Sequence, residues 1–282
     1  MSYIIETALE LACVYSFVAI ALFLSFRILD IADLTTDGCF VLGMCVSIVC
    51  TLNNHPLLGI FMGMVSGGLA GLVTALLQTK LGVPSILAGI VTNTALYTIN
   101  LMVMGFSSNI SILRNKTIFN GNKLLLLVLI VVVAMILLRY FLSTRLGLSI
   151  RATGDNIDMV SASSINPKAC ILIGLIMSNM LTGLGGALAG QLQKSADINA
   201  GNGVVTIGLA TLIIGETVIN GKKSITRNII ACLIGNIIYR LIYAFILQTH
   251  IIPIECLKLM TALIITLAIA IPYLKDRKKA LC

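Results

Sequence analysis

The sequence predicts an all-α, polytopic membrane protein of about nine helices forming one transmembrane domain over residues 1–282. Three observations predict it. Of 282 residues, 58% are apolar and only 11% charged, whereas a soluble domain carries roughly a quarter charged residues. The mean hydropathy is +1.05. Apolar runs also recur with short polar punctuation between them, and about 20 apolar residues are needed to cross roughly 30 Å of hydrocarbon. A chain of this length holds about eight to ten such spans. A soluble fold is excluded, and no room remains for a separate catalytic domain.

The runs place helices near 4–26, 38–52, 57–78, 85–105, 124–140, 169–191, 203–219, 229–247 and 257–273. The first lacks a basic leader and a small-residue cleavage site, so it reads as a span and not as a signal peptide. The polar stretch Arg27 to Asp37 follows and carries Asp30, Asp33 and Asp37. It cannot cross lipid unshielded, which makes it a candidate re-entrant or broken segment ahead of the short second run. The third run carries Gly59, Gly63, Gly67 and Gly71, a stripe that lets a neighbouring backbone approach closely. The fourth presents Asn93, Tyr97 and Asn100 on one face. These polar groups must meet protein or water, either lining a pathway or bonding another helix.

Between the fifth and sixth runs lies the one sizeable polar loop, Phe141 to Pro167. Met159, Val160 and Ile165 among Asp, Asn and Ser predict a short helix on the membrane surface, with Asp155 or Asn156 as its cap. The Asn166–Pro167 pair ends it before the sixth run. That run has a second small-residue stripe, Ser178, Thr182, Gly186 and Gly190. The seventh and eighth carry the intramembrane charges Glu216 and Arg240, which are functional candidates because a charge in lipid is expensive. Counted from their helix ends they differ in depth by roughly 10 Å at about 1.5 Å per residue, which argues against a direct ion pair.

Basic residues set the orientation. Arg139, Arg145, Arg151, Lys168, Lys222, Lys223, Arg227 and the tail Lys275 to Lys279 fall on one side, read as the cytoplasm. With nine helices the N-terminus is then outside and the C-terminus inside. Asn53 to Pro56, 106–123 and 192–202 join the N-terminus outside, against the mild opposing signal of Arg114, Lys116 and Lys123.

Asp33 opens DLTTDGCFVLG and Asp197 opens DINAGNGVVTIG, two similar Asp/Gly stretches entering from opposite sides. Pro84 and Pro253 follow them at comparable distances. Helices 1–4 and 6–9 are thereby expected to be inverted repeats joined by the fifth, an architecture that lines a central route with broken helices and their dipoles. The competing reading makes both stretches ordinary interhelical turns.

Other chemistries find little. The net charge of +8 is spread between apolar runs instead of forming an aromatic-interleaved patch, so nucleic acid is not an expected partner. The eight cysteines form no CxxC and read as small hydrophobes. His55 and His250 lack metal-ligand spacing, so neither a metal site nor catalytic residues are expected. No GxxxxGK[ST] exists, so ATP would have to be bound by another subunit and no cofactor is expected here.

The segment LGLSIRATGDNIDMVSASSIN resembles the cytoplasmic coupling loop of permease subunits in the branched-chain amino acid and simple sugar group of ABC importers. ADLTTDGCFVLG is similar to that family's Asp/Gly stretch after its first core helix, and LTGLGGALAGQL to its Gly/Ala-rich helix after the loop. The resemblance runs from about Ala12 to Tyr273. ADLTTDG, GVPSILAGIVTNTALYTINLMVMG and TLIIGE look closest to a bacterial subfamily associated with tryptophan and tyrosine. The Asp33 to Gly38 stretch departs from the Asn-Phe-Ala-His-Gly type of branched-chain permeases.

The resemblance implies a multi-pass homodimer in the bacterial inner membrane, with cytoplasmic ATPase subunits and an external substrate-binding lipoprotein. It would pass a small polar solute, an amino acid and by preference an aromatic one, by alternating access. Arg151, Gly154, Asp155, Asn156, Met159, Ile165 and Asn166 become the ATPase-coupling candidates. The pathway candidates are Asp33, Asp37, Asn93, Tyr97, Asn100, Asp197 and Glu216. The alternative is a proton-coupled secondary transporter, with Glu216 protonating and Arg240 as its counter-charge. An intramembrane enzyme has least support.

Overall fold

A computed structural model describes residues 2–119, 121–219 and 224–248, with 261–263, 266 and 270. The elements are α1 (Ser2–Leu22), α2 (Thr36–Leu52), α3 (Pro56–Thr79), α4 (Ser85–Val103), β1 (Asn109–Ser111), α5 (Lys123–Ser143), α6 (Arg145–Asp155), α7 (Ile157–Ala162), α8 (Pro167–Gln193), β2 (Ser195–Asp197), α9 (Val204–Ile219) and α10 (Ile225–Gln248). Six spans are long and apolar enough to cross a membrane, the first running through Ile28, and α2 and α9 are shorter apolar helices. Eight of the nine expected helices therefore have counterparts among the described residues. Of the ninth, 257–273, only residues 261–263, 266 and 270 are described, and these are helical.

The first helix does not stop where the apolar run does. It widens into a π-helical turn, Phe23–Ile28, and its end is bonded from Leu29 N–H to the Leu24 carbonyl. Asp30 then takes a left-handed φ of 55° and turns the chain back. Residues 29–35 re-enter the protein without helix, and α2 begins at depth. The expected broken segment is thus a π turn, a reversal and a non-helical approach.

Helices α1, α2 and α8 form the centre. Phe17, Leu22, Phe40, Met44 and Leu188 share one buried cluster, into which α5 sends Leu127 and Val131. Glycine lets the backbones close. A Cβ on Gly67 of α3 would overlap the Asn179 carbonyl of α8, and one on Gly183 would overlap the Gly63 carbonyl. Gly63, Gly67 and Gly71 of the α3 stripe therefore pack on the Asn179, Gly183 and Ala187 line of α8, while Gly59 meets the Ser47 carbonyl of α2. The stripe predicted on α8 faces elsewhere: Gly186 meets the Phe40 carbonyl of α2, and the Ser178 hydroxyl donates to the Ala21 carbonyl of α1 at 2.8 Å.

Two faces can be told apart by their connections. On one, β1 pairs antiparallel with β2, Asn109 opposite Asp197 and Ser111 opposite Ser195. Asn115 donates to the Thr51 carbonyl at 3.5 Å, and Gln191 to the Pro56 carbonyl at 2.7 Å. This ribbon face thus gathers the three connections that the charge pattern puts on one side. The other face carries α6 and α7, and the start of α8.

Candidate functional site

The non-helical approaches to α2 and α9 come in from opposite faces and meet. Residues 29–35 leave the α6–α7 face, and residues 198–203 leave the ribbon. Asp37, in the first turn of α2, accepts from the backbone N–H of Val205 at 2.8 Å and of Gly203 at 3.4 Å. A carboxylate of one helix's first turn caps the first turn of the other, so both N-termini share one anion. Gly201 is needed there because a Cβ would overlap the Asp37 carbonyl. From this meeting point α2 runs to the ribbon face and α9 to the opposite one.

Asp33 lies wholly buried in the approach to α2. Its Oδ1 accepts from the Thr35 N–H at 2.9 Å, and its Oδ2 from Asn179 Nδ2 at 2.6 Å. Asn179 is near the middle of α8, which sets the depth of the approach. The Thr35 hydroxyl continues the network to Thr74 of α3 at 2.8 Å. Asn100 of α4 donates to the Gly38 carbonyl at 3.3 Å, and Asn93 packs where a Cβ on Gly38 would lie. The buried oxygens of Asn100 and Asn179 have no hydrogen-bond donor.

The structure thus brings Asp33, Asp37, Asn93 and Asn100 together around the start of α2, and leaves the other pathway candidates elsewhere. Tyr97, a turn along α4, is 53% exposed. Asp197 sits in the ribbon, where it accepts from Asn109 Nδ2 at 3.2 Å and closes a turn onto the Asn199 N–H at 2.7 Å. Glu216 lies at the far end of α9. The proposed counter-charge of Glu216 is corrected: it bonds Arg27 of the π turn, Nε to Oε1 at 2.8 Å and Nη2 to Oε2 at 2.5 Å, and not Arg240. Arg240 instead stacks over the Tyr15 ring, 3.9 Å from its centroid. The expectation of no direct Glu216–Arg240 contact matches this arrangement.

At the α6–α7 face the loop is two helices and not one. Thr144 caps α6 and Asn156 caps α7, its Oδ1 accepting from Asp158 and Met159 N–H at 3.1 and 3.0 Å. Of the two candidate caps, Asn156 is therefore the one used. Asn166 caps α8 in the same way through Lys168 and Ala169. Gly154 lies against the π turn, where a Cβ would overlap the Ile28 carbonyl. Asp155, Ile157, Asp158 and Met159 are exposed, Met159 at 69%, while Arg151 and Ile165 are half-buried.

Sequence reasoning passed over Asn179 and Arg27. Asn179 is an amide at the middle of an apolar helix, the same signal that singled out Asn93, but it was hidden beside a small-residue stripe. Arg27 stood at the end of a predicted helix and read as punctuation. Among the described residues no group of three or more His, Cys, Asp or Glu is placed to hold a metal, and the six described cysteines are unpaired.

Residues 4–270 match the family described as the permease component of the branched-chain amino acid transport system. The chain is 33% identical to the tyrosine transport system permease protein of Clostridioides difficile, covering 94% of this chain and 90% of that one. It is 32% identical to an uncharacterized protein of Rickettsia prowazekii, over 95% of this chain and 97% of the other. A shorter match, 36% identical over 36% of this chain and 31% of the relative, is to the D-allose transport system permease protein of Escherichia coli K12. No solved structure matches it with significance. With its multiple apolar helices and a family match over nearly its whole length, the chain belongs to the branched-chain amino acid transport system permease family.

Proposed function

We propose that this chain is the transmembrane subunit of an ATP-driven importer, passing an amino acid, by preference an aromatic one, from an external binding protein to the cytoplasm. Two copies of the chain would pair with two ATPase subunits on the α6–α7 face and with a binding lipoprotein on the ribbon face. ATP and its chemistry belong to the partner. The substrate class is supported by the Clostridioides relative, a tyrosine transport system permease protein.

The observation that carries this reading is the α6–α7 face. It presents an exposed short helix, with Met159 and Ile157 flanked by Asp155 and Asp158, on a rigid mount. That mount is Gly154 against the Ile28 carbonyl, and Ile28 leads directly into the approach that holds Asp33. A partner pulling on α7 would move α6, then the π turn, then residues 29–35 and the start of α2. Arg27 and Glu216 tie the same turn to the end of α9, so both half-helices that meet at Asp37 are joined to one lever. The π turn suits this role because its wider ring of bonds marks a weaker point in a helix, often a functional one. Binding of ATP then biases a two-state equilibrium between inward-open and outward-open forms.

The test uses the complex reconstituted with its ATPase and binding protein. Gly154→Arg and Asp155→Lys should abolish solute uptake while the chain still inserts. Gly154→Arg acts by displacing α6 from Ile28, and Asp155→Lys by reversing a charge on the exposed face. Normal uptake in both variants, with the ATPase still attached, would overturn the docking role. Uptake by the chain alone under a pH gradient would instead support the proton-coupled reading.

A further inference from the structure

Arg240 is a cationic side chain inside an apolar helix, and it lies over a ring and not against an anion. It is 9% exposed, its Nε is buried without a hydrogen-bond partner, and its Cζ lies 3.9 Å above the Tyr15 ring. No carboxylate among the described residues pairs with it. A buried guanidinium without an anion is costly, and a ring beneath it returns only part of that cost. Such a charge persists where an anion comes to it.

Beside it is room for one. A cavity of about 400 Å³ lies between α1 and α10, lined by Arg240, Tyr243, Leu11, Ala8, Ala244 and Leu247 among others. It occupies the half of the molecule nearer the ribbon face. Tyr243 stacks on Tyr239 with ring centroids 6.4 Å apart, which makes one wall flat and aromatic. Arg240 is the one cationic group of the lining, and Thr7 and Gln248 add polar atoms. Such a pocket, apolar with one charged anchor, is the usual form of a small-molecule site.

We propose that this cavity binds an anionic head on an apolar or aromatic body, a carboxylate or phosphate bonding the Arg240 guanidinium while the body packs on Tyr243, Leu11 and Leu247. An aromatic amino acid and an anionic phospholipid both present that chemistry. The inference stands on Arg240 and the cavity, and does not depend on the coupling reading of α6 and α7.

The chain contains no tryptophan, so when the full-length chain is purified in dodecyl maltoside all indole fluorescence comes from the added ligand, each ligand being titrated separately. Anisotropy of L-tryptophan is titrated against tryptamine, which lacks the carboxylate, and native mass spectrometry counts retained phosphatidylglycerol. If the anion is the solute, L-tryptophan binds saturably, tryptamine at least tenfold more weakly, and Arg240→Met weakens L-tryptophan at least tenfold. If it is a lipid, wild type retains phosphatidylglycerol that Arg240→Met loses, and L-tryptophan does not bind. Either result supports the site and names its source. Ala244→Phe fills the cavity while leaving the guanidinium in place, and should abolish the same binding; it keeps the test open should Arg240→Met fail to fold. The proposal is overturned if neither probe depends on Arg240 or on the cavity volume in a variant that runs as a single species.

Discussion

Asp33 shows how one buried side chain can set the register of a re-entrant segment. Its two oxygens are each held, one by the Thr35 backbone and one by Asn179, so the approach to α2 is pinned to the middle of α8. Removing one partner of a buried hydrogen bond leaves the other unsatisfied, which costs about 1–3 kcal/mol. Asn179→Leu should therefore lower the thermal midpoint of the purified chain by several degrees, read by fluorescence-detected size exclusion after heating. Tyr97→Phe, at an exposed site on α4, should leave it unchanged. Equal midpoints for Asn179→Leu and wild type would show that the Asp33 bond does not hold the approach. The importance of Asp33 was legible in the sequence, because a carboxylate next to an apolar run needs a partner. Which partner was not, because Asn179 is 146 positions away.

Among elements, the π turn is the joint. It receives Gly154 from α6, Glu216 from α9 and Gly174 of α8 against Leu29. The Arg27–Glu216 pair is partly exposed, and an exposed pair is worth at most about 1 kcal/mol, so its value lies in position and not in stability. Arg27→Glu alone and Glu216→Arg alone should each reduce ATP-driven uptake, and the double exchange should restore most of it, measured in proteoliposomes of the full complex. A Glu216 that worked by releasing a proton would not be rescued by the exchange, and failure of rescue would remove the tie from the coupling route. The sequence marked Glu216 through its cost in lipid. It could not name Arg27, since ion pairing depends on where α1 ends, and a π turn adds a residue to the ring that no hydrophobic period reveals.

At the scale of the whole molecule, α3, α4 and α5 turn large apolar side chains outward, among them Phe61, Leu69, Ile90, Met102, Leu129 and Ile136. Lipid covers such a surface, and a second copy covers part of it in the proposed dimer. In mild detergent the protein mass by light scattering should come to twice 30.0 kDa. A single copy per micelle, with transport intact after reconstitution at one copy per vesicle, would remove the dimer from the mechanism.

The sequence by itself determined that this chain crosses the bilayer, where eight of its helices lie to within a few residues, and which polar segments need explaining. These follow from the local cost of polar groups in hydrocarbon, a cost that a short window of residues states in full. Only the tertiary structure decided that Asp37 caps α9, that Asp197 belongs to the β ribbon, and that Glu216 pairs with Arg27. Each of these is a contact between segments distant in the chain. Its geometry is set by glycine-mediated helix approach and by the turn at Asp30, which no local pattern encodes.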